Sequence, residues 1–308
     1  MEGGEQRGLG ELPGERVLAS ARPDQQHLHG SILREPLTAD APPRNHGRVT
    51  DGSETFRAPP AAYDRYMGGW SRPLAAAFAE ATGILPRDRV LDVGCGTGAL
   101  TAELARRVGA ASVAAVDPSE PSVTACAAAV PGADVRVGGA ETLPFADGTF
   151  DASLCQLVVN FMSDAPAGVA EMRRVTRSGG TVAACTWDYR DGMTMLRVFW
   201  DAATTVDPGA PHEGRTMPFC TTDDLERLWL DVGLGDVTRD ELVVERAYAD
   251  FDDFWEPFTL GVGPGGSYCV SLDAGTREAL RAECFRLLGS PEGPLPLTAR
   301  AWFVRGSA

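Results

Sequence analysis

The 308-residue chain is 44% hydrophobic, long enough for a large buried core, and its 43 acidic against 28 basic side chains leave a formal net charge of −15. That acidity repels phosphate backbones and argues against a nucleic-acid partner. No apolar run reaches the roughly 20 residues that a membrane span requires, and no basic stretch followed by an apolar one opens the sequence, so neither membrane insertion nor secretion is expected.

Residues 1–60 contain 8 Gly and 7 Pro, almost no aromatic side chains and no sustained apolar period. Such a segment cannot bury enough surface to offset its ordering entropy, so a disordered N-terminal tail is expected. At Ala61 the texture changes, because AAYDRYMGGWSRPLAAAFAEATGI brings aromatic residues and then a helical face at Leu74, Phe78 and Ala81. One folded domain over 61–308 starts here. RVLDVG (89–94), SVAAVDP (112–118), DVRVGG (134–139), FDASLCQLVVNF (150–161) and GGTVAACTWD (179–188) read as strands, with helices predicted over 99–109, 121–130 and 166–177 between them. The alternation predicts an α/β fold with a doubly wound, mostly parallel sheet and helices on both faces.

The second half is less regular. Helices are predicted over 193–204, 221–234, with Thr222 or Asp223 as cap, and 272–289, whereas 239–248 and 298–306 read as late strands. These suggest an antiparallel addition to the sheet. Residues 252–272 break the pattern with Gly and aromatic residues. The acidity is concentrated late: residues 223–256 hold 12 acids and 3 Arg.

VLDVGCGTGALT (90–101) places Gly94, Gly96 and Gly98 on a turn between a predicted strand and a predicted helix, where glycine permits tight turning and close approach of a ligand to the backbone. The helix N-terminus beyond it suits a carboxylate or a phosphate. Gly94, Gly96 and Ala99 also satisfy the dinucleotide pattern, so an NAD-dependent oxidoreductase stays open at this point. Asp92, two residues before the first glycine, would repel a pyrophosphate and suits an ammonium group. Asp117, ending the second strand, is placed to bond two ribose hydroxyls.

On VLDVGCGTG, AAVDPSE, GAETLPFADGTFDASLCQLVVNFM and EMRRVTRSGGTVAACTWD, residues 89–188 resemble the class I S-adenosylmethionine-dependent methyltransferases, which have a Rossmann-like fold. The nearest likeness is to the small-molecule group similar to the ubiquinone and menaquinone C-methyltransferases, and AAYDRYMGGWSRPLA is similar to the segment that leads into the domain in many bacterial members. The resemblance implies S-adenosyl-L-methionine as cofactor and a small-molecule methyl acceptor. Gly94, Cys95, Gly96, Thr97 and the helix after Gly98 would cradle the methionine part, and Asp117 with Pro118 the ribose. The family usually has GDAE where this chain has Gly139-Ala140-Glu141, so the acid expected at the adenine is missing at Gly139, with Ala140 and Glu141 as substitutes. Gln156 would point to the sulfonium end, and Tyr63, Tyr66 and Trp70 would lie on a preceding helical lid. A module that holds the cofactor without turning it over is the other alternative.

Methyl transfer from a sulfonium needs alignment and desolvation, not a protein nucleophile or a metal. No metal site is expected, and catalytic residues and oligomeric state are left unassigned. His212, in PGAPHEGRTMP, is read as a solvated loop histidine, with a general base as the other reading. Trp187, Asp188 and Tyr189 follow the fifth strand at the sheet edge where ligands bind, and Tyr189 is a candidate donor to an acceptor oxygen. Insertions at 189–220 and 249–296 are expected to build the acceptor pocket from Phe199, Trp200, Phe251, Phe254, Trp255, Phe258 and Tyr268, with Gly263, Gly265 and Gly266 in a mobile lid. Seven cysteines without a CxxC pair predict a reduced, cytoplasmic protein.

Overall fold

In a computed structural model that describes residues 59–308, the apolar runs between glycine-rich turns become strands of one sheet. The expected tail at 1–60 lies, apart from its last two residues, outside the described residues. Helix α1 (Pro60–Tyr63), a π-helical turn (Asp64–Gly68) and α2 (Gly69–Thr82) lead into β1 (Val90–Val93). Then follow α3 (Ala99–Val108), β2 (Val113–Asp117), α4 (Glu120–Ala129), β3 (Asp134–Val137), β4 (Phe150–Gln156), α5 (Ala165–Val175) and β5 (Thr176–Trp187). The second half runs α6 (Thr194–Val206), α7 (Glu213–Thr216), α8 (Thr222–Asp231), β6 (Gly235–Tyr248), α9 (Phe251–Trp255), α10 (Gly263–Ser271), α11 (Ala274–Leu287) and β7 (Leu295–Ser307).

The strand order is β3-β2-β1-β4-β5-β7-β6. β1 to β5 pair in parallel, and β7 lies between β5 and β6, antiparallel to both. The antiparallel late strand is thus present, one place in from the sheet edge. Apolar residues of successive strands alternate between two cores. One, around Trp70, Phe78, Trp187 and Phe199, is covered by α2 and the later helices; the other, around Leu91, Val169, Met172 and Trp229, is covered by α5 and α8.

Two local expectations are corrected. The cap of α8 is Thr221, whose hydroxyl accepts from the Asp224 N–H, one residue before the expected Thr222 or Asp223. Residues 252–272 are helical, not irregular: α9, a 3-10 turn (Glu256–Leu260) and α10 follow in close succession. Gly263, Gly265 and Gly266 are buried there. A Cβ on Gly266 would stand 3.0 Å from the Gly261 carbonyl carbon and one on Gly265 3.2 Å from the Tyr66 hydroxyl, so these two glycines serve close packing.

Candidate active site

Strand order reverses between β1 and β4, and in open α/β sheets such a reversal leaves a crevice at the carboxyl ends of the strands. A cleft of about 560 Å³ occupies it, lined by residues that follow β1 to β5. Its floor is the loop after β1. The Gly94 and Cys95 N–H groups both donate to the Val116 carbonyl, at 2.8 and 2.9 Å, which fastens the loop to the end of β2. Gly94 has φ +77°, and a Cβ there would fall 2.4 Å from a Val158 methyl. Gly96, at φ +51°, has nothing within 4 Å of that position and presents bare backbone to the cleft.

Asp117 closes β2 with both carboxylate oxygens engaged. It accepts from the Gly96 N–H and the Ser119 N–H, each at 2.9 Å, and so is held rigidly on the cleft wall. Burial raises its pKa. Pro118 and the first residues of α4 continue that wall. Gly98 does not line the cleft: it precedes α3 at φ +94°, and a Cβ would meet the Cys126 Sγ at 3.2 Å, so its part is to let α3 pack on α4.

Asp92 forms the floor of a side recess of about 50 Å³ together with Ser71, Cys95, Thr97 and Gln156. Its Oδ2 accepts from the Thr101 hydroxyl at 2.6 Å, whereas Oδ1 has no partner. Gln156 donates through Nε2 to the Ser71 carbonyl at 3.0 Å and leaves its Oε1 unpartnered. The recess therefore presents acceptors, the chemistry that receives a cation or an ammonium. Thr97 in turn donates to Asp64 at 3.0 Å, and Asp64 pairs with Arg72. Asp64 escaped sequence reasoning, although it stands in the YDRYM segment that leads into the domain.

Past β3, Ala140 and Glu141 line the cleft. Glu141 Oε1 accepts from the N–H and hydroxyl of Ser163, at 3.0 and 3.1 Å, and its Oε2 lies 3.2 Å from where a Cβ on Gly139 would be. The Glu141 carboxylate thus stands directly beside Gly139. Phe161, Met162 and Ser163, also unforeseen, cover this end, and the only hint was the apolar run continuing beyond β4. Tyr63, Met67, Leu157, Val158, Trp187 and Tyr189 complete the walls.

Several expected residues are elsewhere. Trp70 is fully buried in the core, its Nε1 donating to the Tyr248 hydroxyl at 3.0 Å, and Tyr66 is buried against Phe258. Of that lid only Tyr63 lines the cleft among the three aromatic residues. Phe199, Trp200, Phe251, Phe254, Trp255 and Phe258 are buried in the helical layer, with the Phe199 and Phe258 rings stacked at 4.2 Å, and none of them lines the cleft. Tyr268 packs against that cluster at its margin. Their apolar area is spent on one another. His212 is buried rather than solvated: its Nδ1 accepts from the Gly214 N–H at 3.0 Å and caps α7, away from the cleft wall. Asp188 is buried in an ion pair with Arg300 at 2.7 Å.

Buried acids, Asp92 and Glu213 with the largest shifts together with Asp117, shape the response to pH. Burial pushes Asp92 up to about 7, and burial also pushes Glu213, which accepts from Trp200 Nε1 at 2.6 Å, up to about 7. Between about pH 4 and pH 7 the folded chain holds protons that the unfolded chain has released, so stability falls as pH rises through that window and levels off above it. Arg-paired acids such as Glu103 and Glu171 have lowered values and contribute stability that is lost only as pH falls through the acid range. The thermal midpoint of the ligand-free chain is expected to decline from about pH 5 to pH 7.5, and Asp92→Asn to flatten that decline. A midpoint rising over the same range would contradict the assignment.

With this geometry in hand, comparison with known proteins is specific. A methyltransferase-domain family matches residues 91–184. The demethylmenaquinone methyltransferase of Mycolicibacterium vanbaalenii is 43% identical over 118 residues, which are 38% of this chain and 50% of that one. The Beutenbergia cavernae enzyme of the same name is 39% identical over 112 residues, 36% of this chain and 46% of that one. Over residues 91–184 the chain is thus similar to known methyltransferase domains. The chain spans about half the length of these curated relatives.

The fold around that region is shared more widely. A methyltransferase candidate from an antibiotic biosynthesis pathway of Anabaena variabilis superposes with TM-score 0.52 at 18% identity, over 77% of this chain and 99% of that one. Phosphoethanolamine N-methyltransferase 2 of Haemonchus contortus, solved with phosphomonomethylethanolamine and S-adenosylhomocysteine, gives TM-score 0.50 at 16% identity, over 80% and 56% of the two chains. Among the described residues no helix is long and apolar enough to cross a membrane, and no group of three or more His, Cys, Asp or Glu is arranged to hold a metal.

Proposed function

We propose that this chain transfers the methyl group of S-adenosylmethionine to a small-molecule acceptor, by in-line displacement in a cleft that supplies alignment and desolvation. The observation that carries the reading is the pairing of two acids with the glycine loop: Asp117 is pinned on the wall, and the Asp92 Oδ1 is buried without a partner below it. An orphaned buried carboxylate oxygen is costly unless a ligand satisfies it. The cofactor, when bound, supplies a methyl group on a sulfonium that departs as a neutral thioether.

The chain's own residues do the rest. Gly94 and Gly96 keep the loop bare so that the methionine part lies against backbone. Asp92 and Gln156 offer the ammonium group their free oxygens. Asp117 accepts from the ribose hydroxyls, and Ala140 with Glu141 borders the adenine. Leu157, Val158 and Trp187 form an apolar wall that excludes water from the reacting atoms. Seven free, buried thiols fit a reducing compartment such as the cytoplasm.

Isothermal titration tests the reading. Saturable binding of S-adenosylhomocysteine, with none of NAD, is expected; the opposite pattern would overturn it. Asp117→Ala should weaken that binding by about 1.5–3 kcal/mol, the contribution of a hydrogen bond to a charged group. An unchanged dissociation constant would remove Asp117 from the site.

A further inference from the structure

The glycine loop and α4 bring two thiols together beside the cleft. Cys95 stands on the loop between Gly94 and Gly96, Cys126 lies on α4, and with Ala115 of β2 they form a small buried cluster of their own. The Cys95 thiol donates to the Cys126 sulfur. Cys126 Sγ in turn lies 3.4 Å from the Thr101 hydroxyl oxygen, and that hydroxyl donates to Asp92 at 2.6 Å. Gly98 allows the approach, since a Cβ there would come within 3.2 Å of Cys126 Sγ. Cys126 is fully enclosed, whereas Cys95 borders the recess above Asp92, which shares Gly94, Gly96 and Thr97 with the cleft. None of the other cysteines lines the cleft or that recess.

We propose that Cys95 and Cys126 are a redox-modification site: a small hydroperoxide reaching the recess converts the pair to a disulfide, and the oxidised chain binds the cofactor poorly. The effect on the cofactor rests on the methyltransferase reading; the disulfide itself does not. In the first step the Cys95 sulfur attacks a peroxide oxygen and the O–O bond breaks. The thiol proton leaves with the second oxygen, as water or an alcohol, and Cys95 becomes a sulfenic acid. In the second step the Cys126 sulfur attacks the Cys95 sulfur, the S–O bond breaks, and the departing hydroxide takes the Cys126 proton as water. Two thiols are oxidised and one peroxide is reduced. The hydrogen bond between the thiols lowers the Cys126 pKa, so the pair gives up its first proton more readily than an isolated buried thiol, and the remaining proton is shared by the two sulfurs. A disulfide is about 2.05 Å long, shorter than any contact of unbonded sulfurs, so its closure draws the loop onto α4. Gly98 is already at contact distance from Cys126, so the movement must come from residues 94–96, the backbone on which the methionine part is to lie. A cofactor bound over that backbone would cover Cys95 and slow its oxidation.

The test treats the reduced full chain with hydrogen peroxide at neutral pH and follows it by intact mass and by peptide mapping without reductant. A loss of about 2 Da and a peptide joining Cys95 to Cys126 are expected. By isothermal titration the linked chain should bind S-adenosylhomocysteine about tenfold or more weakly than the reduced chain, and dithiothreitol should restore the affinity. Saturation with S-adenosylhomocysteine beforehand should slow the linkage severalfold. Cys126→Ser, or Cys126→Ala where the serine disturbs packing, removes the second sulfur, and dimedone should then label Cys95 as its sulfenic acid. No link, a link between other cysteines, undiminished affinity of the linked chain, or dimedone labelling of another cysteine before Cys95 would each overturn the proposal. A reduced chain that fails to bind S-adenosylhomocysteine would instead overturn the methyltransferase reading, and the mass of the oxidised chain would still decide the disulfide.

Discussion

Gly94→Ala is expected to abolish measurable S-adenosylhomocysteine binding while leaving the circular dichroism of the folded chain intact. Two costs coincide at this position. The backbone is left-handed at φ +77°, which for a residue with a Cβ costs roughly 1–2 kcal/mol. The added methyl would also stand 2.4 and 2.7 Å from the two Val158 methyl groups, inside any possible contact distance. The loop cannot retreat, because the Gly94 and Cys95 N–H groups share the Val116 carbonyl and the Gly96 N–H is held by Asp117. Relief must come from displacing the loop or Val158, and both are cleft walls. We expect an affinity loss of about a hundredfold, since overpacking and backbone strain together cost roughly 3 kcal/mol. Gly96→Ala is the matched comparison: its φ of +51° carries a similar strain, but its Cβ meets nothing within 4 Å. It should lose less. Wild-type affinity in Gly94→Ala would show that the loop does not contact the cofactor.

Trp70→Ala carries the second large effect, on stability and not on binding. The side chain is fully buried between α2 and the inner face of β6, its ring 6.3 Å from that of Tyr248, and its Nε1 donates to the Tyr248 hydroxyl and to Met195 Sδ. Truncation of a buried tryptophan costs about 3–5 kcal/mol. That is a large part of the total stability of an ordinary domain. Tyr248 keeps a contact with Met195 Sδ at 3.1 Å, so the loss comes mainly from the cavity and not from an orphaned hydroxyl. Urea unfolding should show the midpoint fall, with S-adenosylhomocysteine binding to the folded fraction unchanged. Preserved stability with lost binding would return Trp70 to the site.

The same residue marks the boundary between what is legible in the chain and what is not. An aromatic side chain near a glycine loop has the same local pattern whether it faces a ligand or a core. Trp70 and the six buried aromatic residues of the helical layer therefore read as pocket walls, whereas burial on one another is what the fold makes of them. His212 failed in the opposite sense. A histidine among Pro and Gly reads as solvated, and only the return of α7 against Tyr189 buries it.

Elements that depend on neighbouring residues alone were determined by the sequence itself. The apolar runs of β1, β2, β4 and β5, the turn that needs Gly94 and Gly96, and the acid that ends β2 follow from turn chemistry and side-chain period, which act over a few residues. The tertiary structure alone decided the rest: β7 between β5 and β6, Glu141 bonded to Ser163, Asp64 to Thr97 and Gln156 to Ser71. These pairings join residues distant in the chain, and their free energy comes from burial and hydrogen bonding that exist only once the sheet has brought its carboxyl ends together.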